Sequence, residues 1–157
     1  MTMEAWNKGN YFISTDKAKL DRETIYRYLA EESYWAEQLP RSVFEKSIEG
    51  SAVCYGVYFK DPKSGLMKQV GFARVISDLA TFAYLADVFI LKPHRGKGLS
   101  KWLVDVILHD SRLSGLRRFL LATKDAHGLY SQHGFKPLAN PESMMEIARG
   151  ASIYKER

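Results

Sequence analysis

Apolar and polar positions change period several times along the chain, and each change marks a different element. Residues 10–14, NYFIS, have the composition of a short strand. Behind Asp21, a suitable N-cap, Ile25, Tyr28, Leu29 and Glu32 recur at helical spacing, so a first helix is expected to begin near Arg22. Pro40 suits the first turn of a second, shorter helix carrying Val43, Phe44 and Ile48, with Gly50 as its end. Residues 52–59, 68–76 and 82–91 are rich in Val, Phe, Tyr and Ile and are separated by turn formers, which predicts three antiparallel strands in a meander. The turn at residues 61–65, DPKSG, is short enough for a hairpin. From Leu99 the spacing becomes helical again through Trp102, Leu103, Val106, Ile107 and Leu113. Residues 118–122 then read as a strand, 126–132 as a short helix and 134–138 as the start of another strand. Strand, loop, long helix and strand form a crossover unit, so the strands flanking that helix should be parallel. The pattern as a whole predicts an α+β fold with a mixed sheet.

Length and charge narrow the picture. With 157 residues and 46% apolar content, the chain can bury one core and is too short for two full domains, so a single domain over residues 1–157 is expected. The N-terminal stretch MTMEAWNKGNYF is broken by polar groups every few residues, and no run of about 18 apolar residues occurs. A cytoplasmic protein without membrane association is the expectation. Cys54 is the single cysteine and lies in the apolar run 52–59, where a small buried hydrophobe belongs. A net charge of +5 is compatible with nucleic acid, anionic lipid or a phosphorylated cofactor. Basic residues gather at 92–101, 112–118 and 155–157, and only the first group is interleaved with glycines. His94, His109, His127 and His133 form no HxxxH pair and there is no cysteine cluster, so no metal site is expected.

That first basic group is the most informative stretch. Residues 88–100, VFILKPHRGKGLS, place glycines and cations between the end of a strand and the start of a helix. First-turn amides have no intrahelical acceptor, and the helix dipole favours an anion there by roughly 0.3–1 kcal/mol. Gly96 and Gly98 permit positive φ and close approach of backbone to a diphosphate, while Arg95 and Lys97 supply charge. The pattern satisfies neither GxGxxG nor GxxxxGK[ST], which disfavours a nicotinamide enzyme or an NTPase. By itself the loop reads equally well as a solvated turn ahead of a helix.

Two segments together carry a family resemblance. Arg95-Gly96-Lys97-Gly98-Leu99-Ser100 resembles the R/Q-x-x-G-x-G/A segment of the GCN5-related N-acetyltransferases (GNAT), with Ser100 in place of the usual Gly or Ala. Downstream, AHGLYSQHGF at 126–135 resembles that family's A-x-x-L-Y-x-x-x-G-F segment. The resemblance spans residues 86–135, and the segments EESYW at 31–35 and TKDAH at 123–127 are similar to those of a subgroup of small bacterial members. It implies a mostly antiparallel mixed sheet with flanking helices and a parallel pair of strands splayed around the coenzyme A site. It also implies acetyl-CoA as co-substrate, no metal, and direct transfer of acetyl to a primary amine, here taken as that of a small molecule. Backbone amides of Arg95, Gly96, Lys97, Gly98, Leu99 and Ser100 would bind the pyrophosphate. An amide around Phe89, Ile90 and Leu91, freed by a local distortion, would face the oxyanion, and Thr123 and Asp125 would lie near the pantetheine. Homodimers are frequent among such proteins, and a homodimer is compatible with this chain.

Acyl transfer to an amine requires a neutral nucleophile, stabilisation of the oxyanion and a proton for the departing thiolate. Tyr130 matches the family tyrosine near the cofactor sulfur and is the candidate general acid; the alternative is a core aromatic. Asp87 interrupts the apolar strand LADVFI, where a carboxylate is costly unless paired or functional. It either receives the amine's proton or holds the cationic amine, or else forms an ion pair with Arg74 on the preceding strand. Tyr34 and Trp35 line an acceptor pocket or join the core, and Arg41 would assist an acceptor bearing a carboxylate. Asp125 competes as a helix cap, and Glu31-Glu32 reads as a solvated face. Two other function classes stay open: a catalytically silent acyl-CoA binding domain, and a small nucleic-acid binder using residues 92–101 and 112–118, although no recognition helix or stacking aromatic accompanies that charge.

Overall fold

The computed structural model describes residues 3–156. Six strands, β1 (Ala5–Lys8), β2 (Tyr11–Ser14), β3 (Val53–Lys60), β4 (Met67–Ser77), β5 (Phe82–Ile90) and β6 (Arg118–Leu121), form one sheet in sequential order. The pairs from β1 to β5 are antiparallel and β5–β6 is parallel, as the crossover through α3 (Leu99–Leu108) requires. Strand β1 escapes the sequence reading because AWNK is four residues long and half polar; it is held by register with β2, across a turn in which Gly9 adopts φ 59°.

Strands β3 and β4 are central, and most of their residues are buried on both faces, which is why they read as nearly continuous apolar runs. Alternation still sorts their side chains. Val53, Tyr55 and Val57 meet Leu103, Val104 and Ile107 of α3, whereas Cys54 and Phe72 face the opposite layer, built on α1 (Arg22–Arg27) and α2 (Arg41–Gly50). Cys54 is buried as expected, and burial pushes its thiol up to about 11.

The helix ends follow local chemistry. Asp21 caps α1 by accepting from the Thr24 amide at 3.1 Å. Beyond Arg27 the helix widens into a π turn (Tyr28–Glu32), closed where Ser33 Oγ donates to the Leu29 carbonyl at 2.6 Å. Pro40 occupies the N-cap of α2, one place earlier than the sequence suggested. Helix α3 stops at Leu108, because Asp110 caps a separate turn (Ser111–Leu113) and Leu113 joins the core from there. The short helix α4 spans His127–Ser131. The strand expected at 134–138 does not form: those residues run beside β6 without ladder bonds, and Pro137 has no N–H to offer. Among the described residues, no helix is long and apolar enough to cross a membrane.

Candidate active site

A bulge in β5 sets the geometry of the site. Phe72 pairs with Phe89 and Arg74 with Ala86, so Asp87 and Val88 together oppose Ala73. Asp87 takes φ 56°, a left-handed conformation that aspartate tolerates better than most residues. Gly71 admits the strand at this point, since a Cβ there would lie 2.6 Å from Ile90 Cδ1 and 3.0 Å from the Phe89 carbonyl oxygen. Parallel pairing with β6 covers only Phe82 to Leu85, so from Ala86 onward β5 is paired with β4 alone and a gap opens between β5 and β6.

The distortion expected around Phe89, Ile90 and Leu91 therefore lies earlier, at Asp87 and Val88. Leu91 is not free, because its amide donates to the Val70 carbonyl at 2.7 Å. By the alternation of an antiparallel ladder, Ile90 then turns its N–H and C=O away from β4 and into the gap. Its carbonyl is taken by Arg95 Nε at 2.8 Å.

The loop after β5 forms a cradle. Gly96 and Gly98 adopt φ 78° and 76°, with open space around each Cα. Gly98 caps α3, whose first internal bond runs from the Trp102 amide to the Gly98 carbonyl at 3.0 Å. No backbone acceptor takes the amides of Gly96, Lys97 or Gly98, and the first-turn amides of Leu99 and Ser100 are orphaned by helix geometry. A cavity of about 240 Å³ adjoins them, lined by Ile90, His94, Gly96, Gly98 and Ser100. Lys97 is exposed, while the Leu99 side chain is buried in the core and contributes only its backbone. Arg95 departs from expectation: its guanidinium turns back to the Ile90 carbonyl and to the Tyr28 hydroxyl at 3.1 Å, bracing the loop. His94 was not singled out by sequence. Its Nδ1 lies 2.8 Å from the Tyr11 hydroxyl, and burial, with Lys68 and Lys97 nearby, holds the imidazole below its ordinary 6.5.

A larger cleft of about 640 Å³ lies between the α2 layer and the divergent ends of β5 and β6. Tyr34 and Trp35 line it, 46% and 42% exposed, so the π turn has delivered them to the cleft and not to the core. Trp35 Nε1 donates to Asp87 Oδ1 at 2.7 Å, and Arg74 Nε donates to Asp87 Oδ2 at 2.6 Å. The ion pair considered for Asp87 and Arg74 is thus formed, at the wall of the cleft. Tyr34 Oη accepts from the Lys124 amide at 2.9 Å, tying the two walls together. Thr123 and Asp125 both border the cleft; neither caps α4, whose N-cap is Ala126 without a side-chain cap bond, and Thr123 Oγ1 accepts from the Ala126 amide at 3.0 Å in the turn before the helix. Arg41 lies elsewhere, paired with Glu23 at 2.7 Å and Glu45 at 2.9 Å. Tyr84 and Tyr154 also line the cleft; no local pattern marked them, and Tyr154 arrives from the end of the chain.

Tyr130 is 8% exposed and borders the same cleft. Burial, with smaller contributions from Tyr34 and Asp125, pushes its phenol up to about 12, so it keeps its proton near neutral pH and can serve as a donor, not as a base.

The comparisons with known proteins agree with this geometry. The model of the acetyltransferase (GNAT) domain matches residues 52–137, which contain the bulge, the cradle and Tyr130. Two relatives carry the name "putative acetyltransferase". One, from Gibberella zeae, is 33% identical over 91% of this chain and 89% of its own length. The other, a GNAT-family protein of known structure from Xanthomonas campestris pv. campestris, is 47% identical, covers 88% of this chain and 92% of its own, and superposes with a TM-score of 0.81. A Mycobacterium tuberculosis protein solved in complex with CoA shares the fold at 16% identity, with a TM-score of 0.60 over 92% of this chain and 79% of its own. With a family model matched over more than half of its length and relatives of 33% and 47% identity along most of it, the chain belongs to the GNAT acetyltransferases.

Proposed function

We propose that the protein transfers an acetyl group from acetyl-CoA to a primary amine of a small molecule, by direct attack of the bound amine. The observation that carries this reading is the placing of two sites along the same elements, with Ile90 and Leu129 at the cradle and Val88 and Tyr130 at the cleft: unpaired amides at the first, and a buried, protonated phenol and a paired carboxylate at the second. When bound, acetyl-CoA supplies an activated acyl group as a thioester. The amides of residues 96–100 fit its diphosphate, because they are donors without acceptors at the positive end of a helix. The N–H of Ile90, turned into the gap by the ladder, is the candidate donor for the oxyanion. Tyr130 would hold the proton destined for the leaving sulfur. Asp87 has one carboxylate oxygen engaged by Arg74 and the other by Trp35 at the wall of the cleft, and its role is to hold the incoming ammonium or the water that takes its proton. Tyr34, Trp35 and Arg74 would frame the acceptor, with Thr123 and Asp125 beside the pantetheine arm.

The test is an amine library assayed with acetyl-CoA for free thiol release, using the wild type and Tyr130→Phe. Loss of the proton donor should lower kcat by about 10²-fold, at the low end for general acid catalysis, with KM for acetyl-CoA changed less than about twofold. Binding of CoA without thiol release for any amine would refute catalysis and leave a silent binding domain.

A further inference from the structure

The larger cleft is lined by rings whose polar atoms are already engaged. Trp35 Nε1 donates to Asp87 Oδ1 at 2.7 Å, and Tyr34 Oη accepts from the Lys124 amide at 2.9 Å. The two rings meet edge to face, 5.1 Å between centroids, and both are exposed at the cleft wall. With their tips anchored on the protein, what they present to a ligand is carbon surface. Tyr84 of β5 and Tyr154, from the closing turn Ala151–Glu156, bring two more rings, and Leu39 and Val43 line the α2 side. Aromatic surface left open in a concavity is a place for a ligand of matching character.

The charges around these rings cancel. Arg74 and Asp87 form an ion pair, and Arg74 Nη1 donates to Ser51 Oγ at 3.3 Å, so two of the guanidinium nitrogens are spent on the protein. Lys124 and Asp125 are exposed neighbours of opposite sign, and Lys124 Nζ lies 5.4 Å from the centre of the Tyr34 ring, already placing a cation on that face. Each Asp87 oxygen has one donor and keeps a second lone pair. One ammonium can therefore be held at Asp87. A ligand carboxylate, or a second ammonium, meets no uncompensated partner among the described residues that line the cleft.

We propose that the cleft takes a primary amine carried on an aromatic ring, of the arylalkylamine class, with its ammonium at Asp87 and its ring among Tyr34, Trp35, Tyr84 and Tyr154. That this amine is the acetyl acceptor rests on the transfer reading above. Tyr154 is the specificity-determining residue: it comes from the end of the chain and belongs to none of the elements that build the cradle or hold Asp87. A diamine would leave its far ammonium beside carbon, and an amino acid would bring its carboxylate to a guanidinium already paired.

Titration calorimetry on the full chain without acetyl-CoA reads binding apart from transfer. 2-Phenylethylamine should bind at least about 10-fold more tightly than n-hexylamine, putrescine or L-phenylalanine, since ring contacts contribute beyond the area they bury. n-Hexylamine lacks the ring, putrescine replaces it with a second ammonium, and L-phenylalanine adds a carboxylate to the same skeleton. Tyr154→Leu keeps apolar bulk and removes one ring, so it should weaken 2-phenylethylamine about fivefold and n-hexylamine less than about twofold. Any of the three comparison ligands binding as tightly as 2-phenylethylamine overturns the proposal. So does a lack of 2-phenylethylamine binding at about 10 mM, or a Tyr154→Leu variant that affects both amines alike. Thiol release with acetyl-CoA is measured separately: 2-phenylethylamine that binds with this selectivity and releases no thiol refutes the transfer reading and leaves the aromatic-amine site standing.

Discussion

Arg74→Met isolates what the ion pair beside the bulge contributes. The Asp87 carboxylate is 10% exposed and the Arg74 guanidinium 16%, with 2.6 Å between Nε and Oδ2. Without Arg74, a mostly buried negative charge keeps a single donor, Trp35 Nε1 at 2.7 Å. Breaking one side of a buried pair costs about 3–5 kcal/mol, and the residual exposure at the cleft wall places this case near the lower end, about 3 kcal/mol. For a chain of this size that corresponds to a fall in Tm of roughly 6–12 °C. Asp87→Asn should cost less, about 1–2 kcal/mol, because its amide oxygen still accepts from Trp35 and asparagine also tolerates the left-handed backbone. The double variant Arg74→Met/Asp87→Asn should recover part of the loss, giving a coupling energy of about 2 kcal/mol by urea denaturation at pH 7. An Arg74→Met variant within about 0.5 kcal/mol of wild type, or strictly additive single effects, would show that the pair is worth no more than a surface contact. Steady-state kinetics separate the second role of Asp87: Asp87→Asn should lower turnover far more than it raises KM for acetyl-CoA.

Gly98→Val places a β-branched residue at φ 76°, where strain of about 1–2 kcal/mol should weaken CoA binding roughly 10-fold by calorimetry; Gly115→Ala, open and without positive φ, should leave affinity unchanged. Tyr55→Phe removes the hydroxyl that donates to buried Asp110 Oδ2 at 2.6 Å and should cost about 1.5–3 kcal/mol in urea unfolding, with Arg112 still paired to the carboxylate. His94 has a folded-state pKa below 6.5, so the unfolded chain binds its proton first, and stability present above pH 6.5 is lost as pH falls through the folded value. Wild-type Tm should therefore drop more steeply than that of His94→Gln between pH 7 and 5; parallel profiles would contradict the assignment.

Much of the scaffold was legible because its signals are local. Strands β3, β4 and β5 announce themselves by β-branched and aromatic runs, α3 by its three-and-four spacing, and the cradle by glycines whose missing Cβ permits the positive φ found at Gly96 and Gly98. The parallel β5–β6 pair follows from chain connectivity, since a crossover helix leaves little alternative. Such features depend on residues within a few positions of one another, and chemistry alone decides them.

The elements that failed depend on distant partners. Strand β1 exists because β2 offers it an edge, and residues 134–138 make no strand although their composition would allow one. In the site, sequence could place Asp87 on a strand but not locate the bulge that turns it, nor decide between solvent, amine and Arg74 as its partner. Arg95 was expected to face an anion and instead braces the Ile90 carbonyl; Asp125 does not cap α4, which has no side-chain cap; Tyr154 reaches the cleft from the end of the chain. Backbone conformation and burial are preferences of individual residues, and sequence states them directly. Which side chain meets which across the sheet is settled only when strands take their register, and a bulge of one residue is enough to redirect it.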